Sequence, residues 1–346
     1  MAKKNRSHTK NNQSKSGKVF RILLFAGLLV VAILFLPIVK APNTTLKIRP
    51  NATWEYIKED IHAQDKLRFP LLLEWAAVLT GYPKHIHPGS FAIDTWMGTL
   101  PLLKVLFSGR QEAIQLVVNK YRTQHEFLVF IAQKLATDTL ALKQLLADTA
   151  FLNQYQLNAK TSFCLITPNT YEVYWNCNAQ KLLAKIGKAY MQFWNEDRRK
   201  AASTLGFSIP EIISIAAIVE EETNYVPEKS MIASVYINRL RKGIPLQADP
   251  TIKYALGNFT IKRIIQDHLK TESPFNTYIH TGLPPTPICM PSASSIDAVL
   301  HASQSNNFFF CAHPDLNGQH IFAQTLEEHL KNAKNYHEAL NKKGIH

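Results

Sequence analysis

The chain lacks the spacing of a metal site. Its four cysteines, Cys164, Cys177, Cys289 and Cys311, are scattered over 346 residues, and no His/Cys/Asp cluster has ligand spacing. No metal and no cofactor are therefore expected. Cys164 and Cys177 lie near enough in sequence to close a short disulfide loop; four small buried hydrophobes are the alternative. No internal repeat stands out. Disorder is excluded for most of the chain, because 46% of its residues are hydrophobic and 18 are Phe. Acid is missing from residues 1–21, which hold Lys3, Lys4, Arg6, Lys10, Lys15, Lys18 and Arg21. These seven supply more than half of the net charge of +13. The basic excess is thus mostly a tail, and no nucleic-acid partner is expected.

Charge is also missing from Ile22–Val39, eighteen residues reading ILLFAGLLVVAILFLPIV. At a rise of about 1.5 Å per residue this nearly crosses a hydrocarbon core of about 30 Å. Val19 and Phe20 extend it, so residues 19–39 read as a transmembrane helix. The run exceeds the h-region of a signal peptide, and Lys40-Ala41-Pro42 is not a cleavage site. Seven Lys/Arg precede the span, and four (Lys40, Lys47, Arg49, Lys58) follow it within about 20 residues. That bias keeps the N-terminus in the cytoplasm and places residues 40–346 outside, on a single-pass protein of the cell (inner) membrane.

The tail, residues 1–18, is rich in Lys, Asn and Ser and reads as disordered. After the span, Leu46–Arg49 alternates like a strand. Helices are expected over 53–61, 69–79 and 100–107, separated by Gly81-Tyr82-Pro83 and His87-Pro88-Gly89 turns, and 113–118 is strand-like. Residues 123–151 and 179–193 read as amphipathic helices around a Pro168-Asn169 turn. The fold class is therefore α+β. In Ser208-Ile209-Pro210-Glu211 a capping box opens a helix. On it Ile213, Ala216, Ala217 and Glu220 share a face, and Glu222 lies about 200° round from Glu220. Glu220 above two alanines is a carboxyl on an apolar surface, which raises a pKa. A solvated helix end is the plain alternative. Glu221 is expected to face solvent.

Four blocks then occur in order: AAIVEEET, SVYINRLRKGIPLQADPTIKYALG, SPFNTYIHTGLPPTPICMPS and GQHIF. Together they resemble the membrane-bound endolytic murein transglycosylases, the MltG or YceG-like family. The resemblance implies five segments: a basic tail (1–18), the transmembrane helix (19–39), a LysM-like module (40–120), a helical connecting region (121–205) and an α+β catalytic domain (206–346). It implies cleavage of the β-1,4 bond between MurNAc and GlcNAc in peptidoglycan glycan strands, leaving a 1,6-anhydroMurNAc end. Peptidoglycan synthases are further partners that it suggests. Its catalytic glutamate falls on Glu220, acting as acid and then as base. Glu222 is expected to support it by pairing with Arg239 or Lys229.

Around that acid, Asn238, Gln247, Asp249, Tyr254, Asn276 and Tyr278 are the candidate substrate-binding residues. Several have a structural alternative. Asn238-Arg239 ends a helix, Asp249 before Pro250 suits an N-cap, and Tyr254 can fill core. Phe308–Ala312 and His320–Phe322 flank Asn317-Gly318 as a hairpin, with His320 structural. Thr286 and Ser292 stand where the family pattern leads one to expect glycine, Met290 where asparagine is common, and Leu330 where asparagine is usual. Two rivals remain. One is a muramidase-type hydrolase using Glu220 and Asp249. The other is a membrane-tethered peptidoglycan-binding scaffold without turnover.

Overall fold

A computed structural model describes residues 9–342 other than 43 and 262, with residues 9–17 described by backbone only. The chain divides into two compact units. One runs to Ile114 and takes in Tyr174–Asn176; the other holds Gln115–Val173 and everything from Cys177.

The first unit begins with helix α1 (Thr9–Phe35). It starts inside the stretch read as a disordered tail; residues 1–8 lie outside the described residues. Residues Lys18–Phe35 are long and apolar enough to cross a membrane and are unburied, which is compatible with single-pass anchoring. The helix stops four residues before the expected end at Val39. Pro37 cannot continue it, and Ile38 and Val39 turn inward to become fully buried core. There they meet strand β1 (Thr44–Ile48), α2 (Trp54–Gln64), α3 (Pro70–Thr80), β2 (Gly89–Ile93) and α4 (Thr99–Ser108). β1 pairs antiparallel with β2, Leu46 opposite Phe91, and both side chains enter a core with Ile57, Leu73, Leu102 and Leu106.

The second unit opens with β3 (Ile114–Val118), α5 (Gln124–Lys134), α6 (Thr139–Leu145), α7 (Thr149–Asn153), β4 (Asn169–Val173) and α8 (Ala179–Phe193). β3 and β4 form a two-stranded sheet. Residues 121–205 are thus not wholly helical. The order of elements over residues 114–193 also repeats that of residues 44–108: strand, helices, a 3-10 turn, strand, helix. The likeness extends to the caps. Thr53 accepts from the Tyr56 amide at 3.3 Å and Thr123 from the Glu126 amide at 3.1 Å. An architectural repeat is therefore present where none was legible, because it preserves burial pattern and caps rather than residue identity. Within the second copy, Gly187 admits the ring of Tyr155; a Cβ there would come within 2.3 Å of it.

Then follow α9 (Glu196–Leu205), α10 (Ile209–Glu222), α11 (Lys229–Lys242), α12 (Asp249–Ala255), α13 (Gln266–Leu269), α14 (Ala293–Leu300), β5 (Phe309–Ala312), β6 (His320–Ala323) and α15 (Leu326–Lys342). The capping box forms as expected: Glu211 accepts from the Ser208 amide at 2.8 Å. From Ile212 to Val219 every residue of α10 is buried. A helix that is apolar all round belongs in a core, and α10 packs against α9, α11, α12 and α14. β5 and β6 make the expected hairpin, Ala312 opposite His320. All four cysteines are free thiols, Cys164 and Cys289 buried.

Candidate active site

Three carboxylates end α10, and the helical turn of about 100° per residue sends them in three directions. Glu220 points at α11 and α14. Its Oε2 accepts from Lys229 Nζ at 3.0 Å and Ser292 Oγ at 2.6 Å, and also from Ser295 Oγ. Lys229 is itself buried, its side chain 5% exposed. Burial pushes the Glu220 carboxyl up. The hydrogen bonds from Ser292, Ser295 and Lys229 and the lysine charge outweigh that push and hold it below the usual range. The raised pKa expected for Glu220 is therefore corrected: donors from Lys229, Ser292 and Ser295 reach its carboxyl. Glu221 does not face solvent either. It pairs with Lys120 at 2.8 Å and Arg122 at 3.0 Å, and is likewise held low.

Glu222 behaves in the opposite way. Among the described residues it has no salt-bridge partner; Lys229 belongs to Glu220, and Arg239 is engaged elsewhere. Its one hydrogen bond comes from the hydroxyl of Tyr236, a fully buried residue of α11. Burial raises its carboxyl to about 7, with the Tyr236 hydrogen bond opposing and the nearby Asp249 charge adding to the rise. Glu222 lines a polar cleft of about 350 Å³ with Arg239, Gln247, Asp249, Tyr278, Phe309 and His329.

The wall facing Glu222 is built from a constrained segment. Gln247 has φ +52°, uncommon for a residue with a side chain. Its conformation is held from three sides. Its amide donates to Thr277 O at 3.0 Å, its Oε1 accepts from Arg239 Nη2 at 2.6 Å, and the next amide donates to Thr277 Oγ1 at 3.0 Å. This presents Asp249, exposed at the start of α12, to the cleft. Asp249 does not cap the helix; it accepts from the Tyr278 hydroxyl at 2.6 Å. Burial and then Asp249 push the Tyr278 phenol up, so it stays a donor. Arg239, 5% exposed, has no carboxylate partner among the described residues; it donates to the carbonyls of Pro245 and Phe308, each at 2.9 Å, as well as to Gln247.

Of the expected site residues, the cleft gathers Glu222, Arg239, Gln247, Asp249 and Tyr278. Glu220 is not among its lining residues. Asn276 is fully buried, its amide donating to the Leu269 and Thr271 carbonyls and accepting from the Tyr278 amide. No group on it is left for a ligand. Asn238 donates to the Ser305 and Asn307 carbonyls. Tyr254 packs on Phe275 with ring centroids 4.6 Å apart. None of these three is among the lining residues of the cleft. His320 is tied to Glu228 at 2.9 Å, the structural role expected. Sequence reading missed Tyr236, the Phe308–Phe310 edge and His329, which stacks on Phe309 at 5.2 Å. It missed Lys229 and Ser295 as the partners of Glu220 too. Among the described residues, no group of three or more His, Cys, Asp or Glu is placed to hold a metal ion.

Fold and cleft together define an α+β protein with a membrane-compatible N-terminal helix and a near-neutral carboxyl in a polar cleft. The chain belongs to the YceG-like family, whose profile matches residues 46–335. It is 35% identical over 163 residues to a Bacillus subtilis protein named endolytic murein transglycosylase; the match covers 47% of this chain and 43% of that relative. A Streptococcus pneumoniae protein of the same name is 28% identical over 183 residues, covering 50% of this chain and 32% of the relative. The chain thus spans less than half the length of the curated relatives it matches. A crystal structure of a putative YceG-like protein from Listeria monocytogenes matches with TM-score 0.52 and 24% identity, covering 83% of this chain and 98% of that one. That likeness concerns the fold.

Proposed function

We propose that this chain is an endolytic lytic transglycosylase of peptidoglycan and that Glu222, rather than Glu220, is its catalytic acid and base. The observation that carries the choice is geometric: Glu222 lines the polar cleft with a single phenol donor, whereas Glu220 is not among the cleft's lining residues and lies against Lys229, Ser292 and Ser295. A general acid must hold its proton near the working pH. Burial gives Glu222 a pKa of about 7, whereas Lys229 and two serines keep Glu220 ionised. The names of the relatives supply the substrate class.

Protonated Glu222 gives its proton to the glycosidic oxygen between MurNAc and GlcNAc as the C1–O bond breaks. Asp249, across the same cleft, offsets the positive charge developing at C1. The Glu222 carboxylate then takes the proton from the C6 hydroxyl, whose oxygen attacks C1 and closes the 1,6-anhydro ring. Glu222 ends protonated, as it began. The attacker is already part of the sugar, so its effective molarity is high and no water is consumed. The catalytic domain is assigned to residues 206–346. The positive-inside bias supports an extracytoplasmic position for it, on the outer side of the cell (inner) membrane, where nascent glycan and its synthases lie.

The purified full chain, incubated with sacculi, is expected to release muropeptides with anhydro ends. Glu222→Gln is expected to release none, and Glu220→Gln, where it folds, to retain product. The reverse pattern would return the role to Glu220. Asp249 in the same cleft as Glu222 favours a second reading, a two-carboxylate hydrolase. Mass spectrometry separates the two, because a hydrolysed end is heavier than an anhydro end by one water. Binding of sacculi with no release at all would leave a tethered scaffold instead.

A further inference from the structure

Helix α3, PLLLEWAAVLT, is apolar on both sides. Leu73, Ala76 and Ala77 face the core. Leu71, Trp75, Val78 and Leu79, spaced i, i+4, i+7 and i+8, face outward; Trp75 is 72% and Leu79 84% exposed. A water-facing helix side normally carries charge. The single charge on α3, Glu74, is instead tied to His62 of α2 at 2.6 Å. An exposed apolar stripe with a tryptophan marks an interaction surface.

The position of this stripe identifies what covers it. An apolar groove runs between it and the membrane-compatible helix, lined by Ile33 and Leu36 on one side and Phe69, Leu71 and Trp75 on the other. The junction is stiff. The Ile38 amide donates to Met97 O at 3.0 Å, the Arg68 amide to Ile38 O at 2.7 Å, and the Lys40 amide to Lys66 O at 2.9 Å. Gly98 lies against the Phe35 backbone so closely that a Cβ would approach to 2.7 Å. The lipid-facing surface of α1 therefore passes directly into the outer face of α3, within one compact unit. Beside the exit are Trp96, 81% exposed, and the exposed cation Arg68, with Lys40, paired to Asp65, and Lys66, bound to the Thr45 carbonyl. Aromatic rings and cations at this level match an interfacial belt and anionic headgroups.

We infer that α3 is a membrane-contact helix: its outer face lies in the lipid interface beside the span, and lipid acyl chains fill the groove between α1 and α3. This rests on the reading of α1 as the anchor. Its consequence is that the first unit is seated on the bilayer by two elements and cannot pivot about α1.

The test uses the full chain in phosphatidylcholine/phosphatidylglycerol vesicles that carry acyl chains brominated near the glycerol end or near the methyl end. Flotation of protein with vesicles establishes that α1 has inserted. The span has no tryptophan, so quenching reports on the outer domains. Bromines near the glycerol end are expected to quench more than those near the methyl end, at every protein-to-lipid ratio. In a Trp96→Phe background, which leaves Trp75 as the largely exposed ring, Trp75→Phe is expected to abolish most of the quenchable emission, and Leu79→Glu to weaken it. Trp75 open to aqueous acrylamide in floated vesicles would overturn the inference while leaving the anchor intact. So would a Trp75 shielded from both quenchers only at high protein-to-lipid ratio, which would mean a second copy covers the stripe. Failure to float would overturn both.

Discussion

The carboxyl of Glu220 faces Lys229, Ser292 and Ser295; that of Glu222, two residues on, faces Tyr236 and an open polar cleft. Both are taken partly out of water by the same helix. What separates them is the count of donors, together with the deeper burial of the Glu222 carboxyl and the Asp249 charge beside it. A desolvated carboxyl with a buried ammonium and two hydroxyls keeps its charge; one with a single phenol keeps its proton. Burial alone therefore does not select a catalytic acid. The neighbours supplied by α11 and α14 do.

The largest effect that can break this contrast is catalytic. Glu222→Gln preserves shape and removes the proton carrier, so anhydro-muropeptide release should fall by about 10²–10⁴-fold, the usual contribution of general acid–base catalysis. The wild-type rate should also decline as pH rises through about 7, since the protonated form of Glu222 is the active one. A rate that instead rises through neutrality would show that the ionised form starts the reaction.

On the other side of the comparison the expected effect is on stability. Glu220→Gln leaves Lys229 buried without its counter-charge, and breaking such a pair costs about 3–5 kcal/mol. Urea unfolding followed by circular dichroism measures this, and the double variant Glu220→Gln/Lys229→Met should recover most of the loss. The pH signature is fixed by the lowered pKa. The pair's contribution is present above the unfolded value of 4.5 and is lost as pH falls through the folded one. A Glu220→Gln protein as stable as wild type at pH 7 would contradict the locked pair.

Glu222 should show the reverse dependence. Its carboxyl is raised from 4.5 to about 7, so the folded state is favoured below pH 4.5 and loses stability as pH rises to 7. That loss is at most about 3 kcal/mol, from 1.36 kcal/mol per pKa unit. Glu222→Gln removes the ionisation and should be more stable than wild type at pH 8, but little different at pH 5. Catalysis and stability would then trade at one side chain. A variant equally or less stable at both pH values would mean that burial imposes no cost there.

Much of this region was legible beforehand. Ser208 and Glu211 announced the start of α10, the run from Ile212 to Val219 announced a core helix, and the turn per residue put Glu220 and Glu222 on opposing sides. Gln247, Asp249 and Tyr278 were gathered as cleft residues, and the cleft does contain them. The charge states were not legible. Ala216 and Ala217 described only the surface of their own helix; the donors to Glu220 come from Lys229, nine positions on, and from Ser292 and Ser295, more than seventy positions on. Ser292, flagged because the family pattern suggests glycine there, turns out to be one of them. Asn276 and Asn238 looked like sugar-binding amides because sequence gives polar groups without their partners. The strands and helices of residues 114–193 hid their likeness to residues 44–108 for a related reason. Burial pattern and Thr caps persist where identities do not.

The smallest expected effect concerns the one hydrogen bond that reaches Glu222. The Tyr236 hydroxyl favours the charged carboxylate, so Tyr236→Phe should raise the Glu222 pKa further. A hydrogen bond to a charged group is worth about 1.5–3 kcal/mol. The alkaline limb of kcat should accordingly move up by roughly one to two pH units, with little change in the rate at its plateau. Tyr278→Phe is the matched control, because that phenol donates to Asp249 and not to Glu222. That change leaves the Tyr236–Glu222 hydrogen bond in place, so any shift of the limb should be smaller. Equal shifts in both variants would mean that the titrating group is not Glu222 but a property of the cleft as a whole.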